Sequence, residues 1–153
     1  MQRWIAAGVV AMLIFCGGAF FAYKAYKQSR PAPVWVPLPI NPELPTKKRD
    51  EVIKDLKDKL SDHELLQQVS RDVKAASKWG FNSDKQAAEE IADRLFVRAG
   101  DADTPMGKVP AILIGLNGKV KDRDLCGEIA VRLMQDVWKI LGVDPPKKPI
   151  ADE

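Results

Sequence analysis

The chain has 153 residues, with 24 Lys and Arg, 21 Asp and Glu, one His and two Cys. That is enough for one ordinary domain with extensions, and two cysteines with one histidine leave neither a disulfide framework nor a His/Cys metal cluster. Residues 1–30 carry four bases and no acid while residues 46–153 carry twenty of each, so the basic excess does not form a phosphate-binding surface and no nucleic-acid partner is expected.

Behind a short N-terminal tail (1–3), twenty consecutive uncharged residues run from Trp4 to Tyr23. As a helix, at ~1.5 Å per residue, they would be about 30 Å long, the hydrocarbon thickness of a bilayer. Trp4 and Tyr23 stand at the two ends, where amphipathic rings favour the headgroup level. Gly17, Gly18 and Ala19 offer a smooth patch for a neighbouring helix. Signal-peptide cleavage needs small residues at −3 and −1, and Ala19 and Ala22 are spaced wrongly for it. Acylation of Cys16 is disfavoured by the bulky Leu13-Ile14-Phe15 before it. The expectation is an uncleaved transmembrane helix over 4–23, with Cys16 as an apolar residue within it. Lys24, Lys27 and Arg30 outnumber Arg3 and the α-amine by one charge, which taken alone favours a cytoplasmic C-terminal side.

Residues 31–45, PAPVWVPLPINPELP, hold six of the eleven prolines. Two readings stay open for 24–45: a polyproline-like linker of up to ~45 Å, or an edge strand built on Val34, Val36, Leu38 and Ile40. Helical spacing follows at Val52, Ile53, Leu56 and Leu60, with Asp50/Lys54 and Asp55/Lys59 as supporting pairs. Ser61 with Glu64 reads as a capping box for a helix burying Leu65, Leu66, Val69, Val73 and Ala76 and ending at Trp79-Gly80. Ser83 with Gln86 opens the next, through Ala87, Ala88, Ile91, Ala92 and Leu95. The apolar run AILIGL (111–116) is the best strand, and Leu95-Phe96-Val97 is a strand or a helix end. Asp122 is placed to cap a last helix through Leu125, Ile129, Leu133, Val137 and Trp138 to Gly142. The predicted fold class is α+β: one N-terminal transmembrane helix plus a small helix-rich soluble domain (46–142) packed on a short sheet, followed by a disordered tail (143–153).

Few side chains suggest chemistry. Asp101-Ala102-Asp103-Thr104 is similar to the nucleophile motif of haloacid-dehalogenase-type phosphatases. That motif needs an apolar strand ending at the first Asp, whereas Arg98-Ala99-Gly100 intervene, so a polar turn is expected. The same string fails as a calcium loop, with Pro105 and Met106 at its fifth and sixth positions. Gly115-Leu116-Asn117-Gly118-Lys119 has neither phosphate-loop spacing nor the hydroxyl that would hold magnesium, and reads as a strand closed by an Asn-Gly turn. His63 lies in a charged stretch without a partner acid. Cys126 sits near a helix start, where a lowered thiol pKa is one option and a buried apolar role the commoner one. Trp79 and Trp138 read as core aromatics. No catalytic, cofactor-binding or metal-ligating residue, no cofactor and no enzymatic activity is expected.

The order of these pieces resembles the Wzz-type polysaccharide chain-length determinants, in which an N-terminal membrane helix is followed by an α/β domain. The parallel spans about 61–131. It runs through Ser61, Leu65, Leu66, Val69, Trp79-Gly80, Ala88, Leu95 and Val97-Arg98, then Ile112, Ile114 and Ile129-Ala130. The family's strand before the first soluble helix would have to come from Val34–Ile40. The resemblance implies a single-pass inner-membrane protein with a periplasmic, non-enzymatic domain that forms homo-oligomers beside polysaccharide assembly or export proteins. The alternative is a membrane-tethered scaffold or accessory subunit of another envelope complex.

Overall fold

In the computed structural model, residues 23–105 and 107–143 are described. Prolines 31, 33, 37 and 39 occupy odd positions, and Val34, Val36, Leu38 and Ile40 the even ones between them. A strand turns its amide groups to alternate sides, residue by residue. Ala32 N donates to Gly118 O (2.8 Å) and Ile40 N to Pro110 O (3.0 Å), so the even residues address the sheet. The odd ones point outward, where proline's missing N–H breaks no ladder bond. The edge-strand reading of this stretch is therefore the one that forms, as β1 (Val34–Pro39).

β1 pairs antiparallel with β3 (Gly107–Leu116), which pairs antiparallel on its other side with β2 (Leu95–Thr104). The sheet order is β1-β3-β2. Pro110 is tolerated inside the central strand for the same reason as the others. Its carbonyl faces the β1 side, so its missing donor falls just past the end of β1.

Among the described residues, five helices beyond the short helical stretch at 23–28 complete an α+β fold: α1 (Thr46–Leu60), α2 (His63–Val73), α3 (Ala75–Trp79), α4 (Asp84–Arg94) and α5 (Arg123–Leu141). Their apolar stripes meet the even residues of β3. Ile112, Ile114 and Leu116 have no exposed surface, and with Leu38, Leu56, Leu60, Leu66, Val69, Ile91, Ile129, Leu133 and Val137 they form the main core. Gly80 and Gly142 adopt φ +76° and +66° and end α3 and α5 as expected, each followed by a 6→1 bond (Phe81 N to Ala76 O, Val143 N to Trp138 O).

Local details differ from the sequence reading in five places. Asp62, not Ser61, caps α2, accepting from Leu65 N at 3.0 Å. The helix expected to run on to Trp79 breaks at Lys74, which takes φ +56°. Ser83 does cap α4, but Gln86 Oε1 accepts from Asn82 N rather than from Ser83. Asp122 precedes α5 without bonding its amides; its carboxylate is held by Arg94 instead. Residues 101–104 are not a turn. They extend β2, because the Lys108-Val109-Pro110 segment of β3 pairs with them in register.

The folded part also begins before residue 46, since Leu38 is buried in the core and Val34, Val36 and Ile40 pack against it. Among the described residues no helix is long and apolar enough to cross a membrane. The expected transmembrane segment 4–23 lies outside the described residues except for Tyr23, and the expected tail 143–153 does so except for Val143.

Candidate functional site

Side chains on a strand alternate faces, so a sheet with helices on one side presents its other residues to whatever lies opposite. Here the second face carries Phe96, Ala102, Val109, Ala111 and Leu113, an apolar cluster that includes no helical residue among the described residues. Trp35 and Phe96 flank Gly115 from the two neighbouring strands. A Cβ on Gly115 would lie 2.0 Å from Val34 O and 2.8 Å from Trp35 Cβ, so the glycine permits the close approach of β1. Leu113 lies down over Gly100, where an added Cβ would meet its Cδ1 at 2.5 Å.

Ala102, Ala111 and Leu113 are buried in this cluster, and Phe96 and Val109 are half-buried. Trp35 is 44% exposed at one side of it, and the Arg98 guanidinium stacks 4.7 Å from the Phe96 ring centroid. The surface bears no nucleophile or acid–base pair. Its available chemistry is burial of aromatic and aliphatic area plus one delocalised cation, the mix enriched at protein interfaces.

A polar cluster lies where α4 ends and α5 begins. Arg94 Nε donates to Glu90 Oε1 (2.6 Å), its Nη1 to Asp122 Oδ2 (3.2 Å), and its guanidinium lies 4.9 Å from the Trp79 ring centroid. Both carboxylates raise the guanidinium pKa, outweighing burial, which acts the other way. Cys126 has no exposed surface. Burial pushes its thiol pKa up, Arg94 opposes this and Asp122 adds to it. The thiol is thus kept protonated, and the cluster ties segments together rather than activating sulfur.

The remaining sequence features are dispersed. Asp101 and Asp103 are exposed on β2, opposite Pro110 and Lys108. Two carboxylates on an antiparallel hairpin lack the strand-end setting of the phosphatase motif. His63 is exposed at the start of α2, and Trp138 is half-buried against the core. Asn117-Gly118 leads into the 3-10 turn Val120–Asp122 rather than a hairpin.

Two grooves flank α5. One, of about 640 Å³, is lined by residues including Glu64, Arg71, Asp136 and Lys139; the other, of about 530 Å³, includes Asp72, Lys78, Glu128 and Arg132. The second is bridged by Arg132 to Asp72 (2.8 Å) and by Lys78 to Glu128, so these four charges are already paired. Among the described residues no three His, Cys, Asp or Glu side chains gather to hold a metal ion.

This second apolar cluster could have been suspected from the sequence only by knowing the register. Phe96 and Leu113 look like core residues, and the pairing alone puts them opposite the helices. No protein-family model, no curated protein and no solved structure matches this chain.

Proposed function

We propose that this is a single-pass inner-membrane protein, anchored by residues 4–23, whose domain acts through contacts rather than catalysis. It self-associates in the periplasm beside polysaccharide biosynthesis or export machinery. The observation that carries the reading is the second sheet face, where Trp35 is 44% exposed beside an apolar cluster of half-buried Phe96 and buried Leu113 on the side opposite the described helices. An exposed tryptophan at the margin of an apolar cluster suits contact with a second copy of the same chain, and anchoring in one plane raises the effective concentration at which copies meet. The strand Val34–Pro39 before the first soluble helix supports the resemblance to the Wzz-type chain-length determinants. The uncharged run from Trp4 to Tyr23 supports the anchor.

The test is crosslinking of the full-length chain in native membranes, with identification of what co-purifies. Wild type should crosslink to itself and recover polysaccharide assembly proteins. Trp35→Glu should lose the self-crosslink by an order of magnitude or more while keeping its fold, since a charge at this exposed position must be desolvated on association. A strictly monomeric membrane form would remove the chain-length-determinant reading. Consistent recovery of a different envelope complex would establish the accessory-subunit alternative. A C-terminal alkaline phosphatase fusion should be active, and an inactive one would put the domain in the cytoplasm.

A further inference from the structure

The chain leaving the apolar segment does not run free before it reaches the domain. Residues 23–28 are helical, Ser29 Oγ donates to Ala25 O, and Arg30 O then accepts from Val120 N at 3.0 Å. Pro31 forms a bridge with Lys119, and Ala32 N donates to Gly118 O at 2.8 Å. The 118–120 loop is therefore strapped to the chain about 10 Å beyond Tyr23, counting ~1.5 Å per helical residue.

This strap gathers charges that are far apart in sequence. Lys24, Lys27 and Arg30 on one side and Lys119, Lys121 and Arg123 on the other are all exposed. Asp122, the acid in their midst, is engaged by Arg94 and is only 11% exposed. Asp93 and Asp124 are the exposed acids adjacent in the chain. Between the bases stand apolar and aromatic groups open to solvent: Val120 at 42%, Tyr23 at 63% and Tyr26 at 63% exposure. Arg30 lies 5.1 Å from the Tyr26 ring centroid.

We infer that this basic pole, with Val120 at its centre, rests on the anionic headgroups of the membrane that holds the anchor. The inference depends on the anchor proposed above. Bases within a Debye length of an anionic surface are drawn to it, amphipathic rings favour the headgroup level, and a small apolar side chain can enter the boundary. The domain is thereby held against the bilayer in a fixed orientation, with strands β2 and β3 rising from it. The eight residue steps of β3 from Lys108 to Leu116, at ~3.3 Å each, put Lys108 roughly 26 Å from Leu116 and away from the lipid.

The test uses the full-length chain and its own lysines. The protein is placed in nanodiscs of phosphatidylcholine alone or phosphatidylcholine mixed with phosphatidylglycerol, and its lysines are acetylated for timed intervals and located by mass spectrometry. In the mixed discs Lys119 and Lys121 should react about fivefold slower than in neutral discs, and Lys85 and Lys108 at equal rates in both. High salt should remove the difference. Lys119→Gln together with Lys121→Gln and Arg123→Gln should abolish the lipid-dependent hydrogen-exchange protection of residues 117–124. A chain retained in the discs whose Lys119 and Lys121 react at the same rate in both lipids overturns the inference alone. A chain that does not stay in the discs overturns the anchor and the inference together.

Discussion

Arg94 is the residue on which most separate pieces of chain depend. It binds Glu90 on its own helix, Asp122 ahead of α5 and the Trp79 ring at the end of α3. Arg94→Ala should leave Asp122, a mostly buried carboxylate, without its cation, at a cost of roughly 2 kcal/mol. Thermal unfolding should show a clear fall in Tm, larger than for an exposed pair such as Asp55–Lys59. The same site governs Cys126, whose thiol burial holds in its neutral form. Alkylating reagents should leave Cys126 unmodified in the native protein and modify it in denaturant. Its folded pKa is raised, so as pH climbs through the ordinary thiol range the unfolded chain loses a proton that the fold keeps, and stability should fall with pH there. The burial of Cys126 is the commoner reading of the sequence, but the role of Arg94 is not visible there. Arg94 and Asp122 are 28 positions apart, and Asp122 reads locally as an ordinary helix cap.

At the scale of elements, periodicity located what was local and missed what depended on partners. The stripes of α2, α4 and α5 and the glycines that end α3 and α5 follow from side-chain spacing and backbone chemistry alone. The extension of β2 through Asp103 does not: an Asp-Ala-Asp string has poor strand character, and it is extended because β3 lies beside it. In the sequence, the stretch before residue 46 stays open between linker and edge strand for a related reason. Proline density favours the one and apolar alternation the other, while the deciding signal is the parity of the prolines, which only matters once a neighbouring strand exists. A fragment covering 46–142 therefore lacks a strand and should aggregate or show a broad, weak unfolding transition. One covering 31–143 should unfold cooperatively. Far-UV circular dichroism with a thermal ramp separates these outcomes.

For the molecule as a whole, charge totals concealed charge geography. Twenty acids and twenty bases after residue 45 describe a neutral domain, yet the fold brings Lys119, Lys121 and Arg123 beside the bases that follow the apolar segment. The apolar face was hidden in the same way, since its members share a surface only through strand pairing. The outward-facing prolines of β1 set a limit on assembly. Exposed strand edges on copies held in one membrane plane would tend to zip together into an unbounded ribbon. With Pro33, Pro37 and Pro39 at the positions that would donate outward, that edge keeps carbonyl acceptors but only Trp35 as a donor between them, so growth of the proposed assembly in that direction is disfavoured. Replacing all three by Thr should keep β1 paired with β3 while giving large, detergent-resistant membrane assemblies on native gels, where wild type gives small discrete species. The prolines would then act as terminators, keeping the number of associated copies finite.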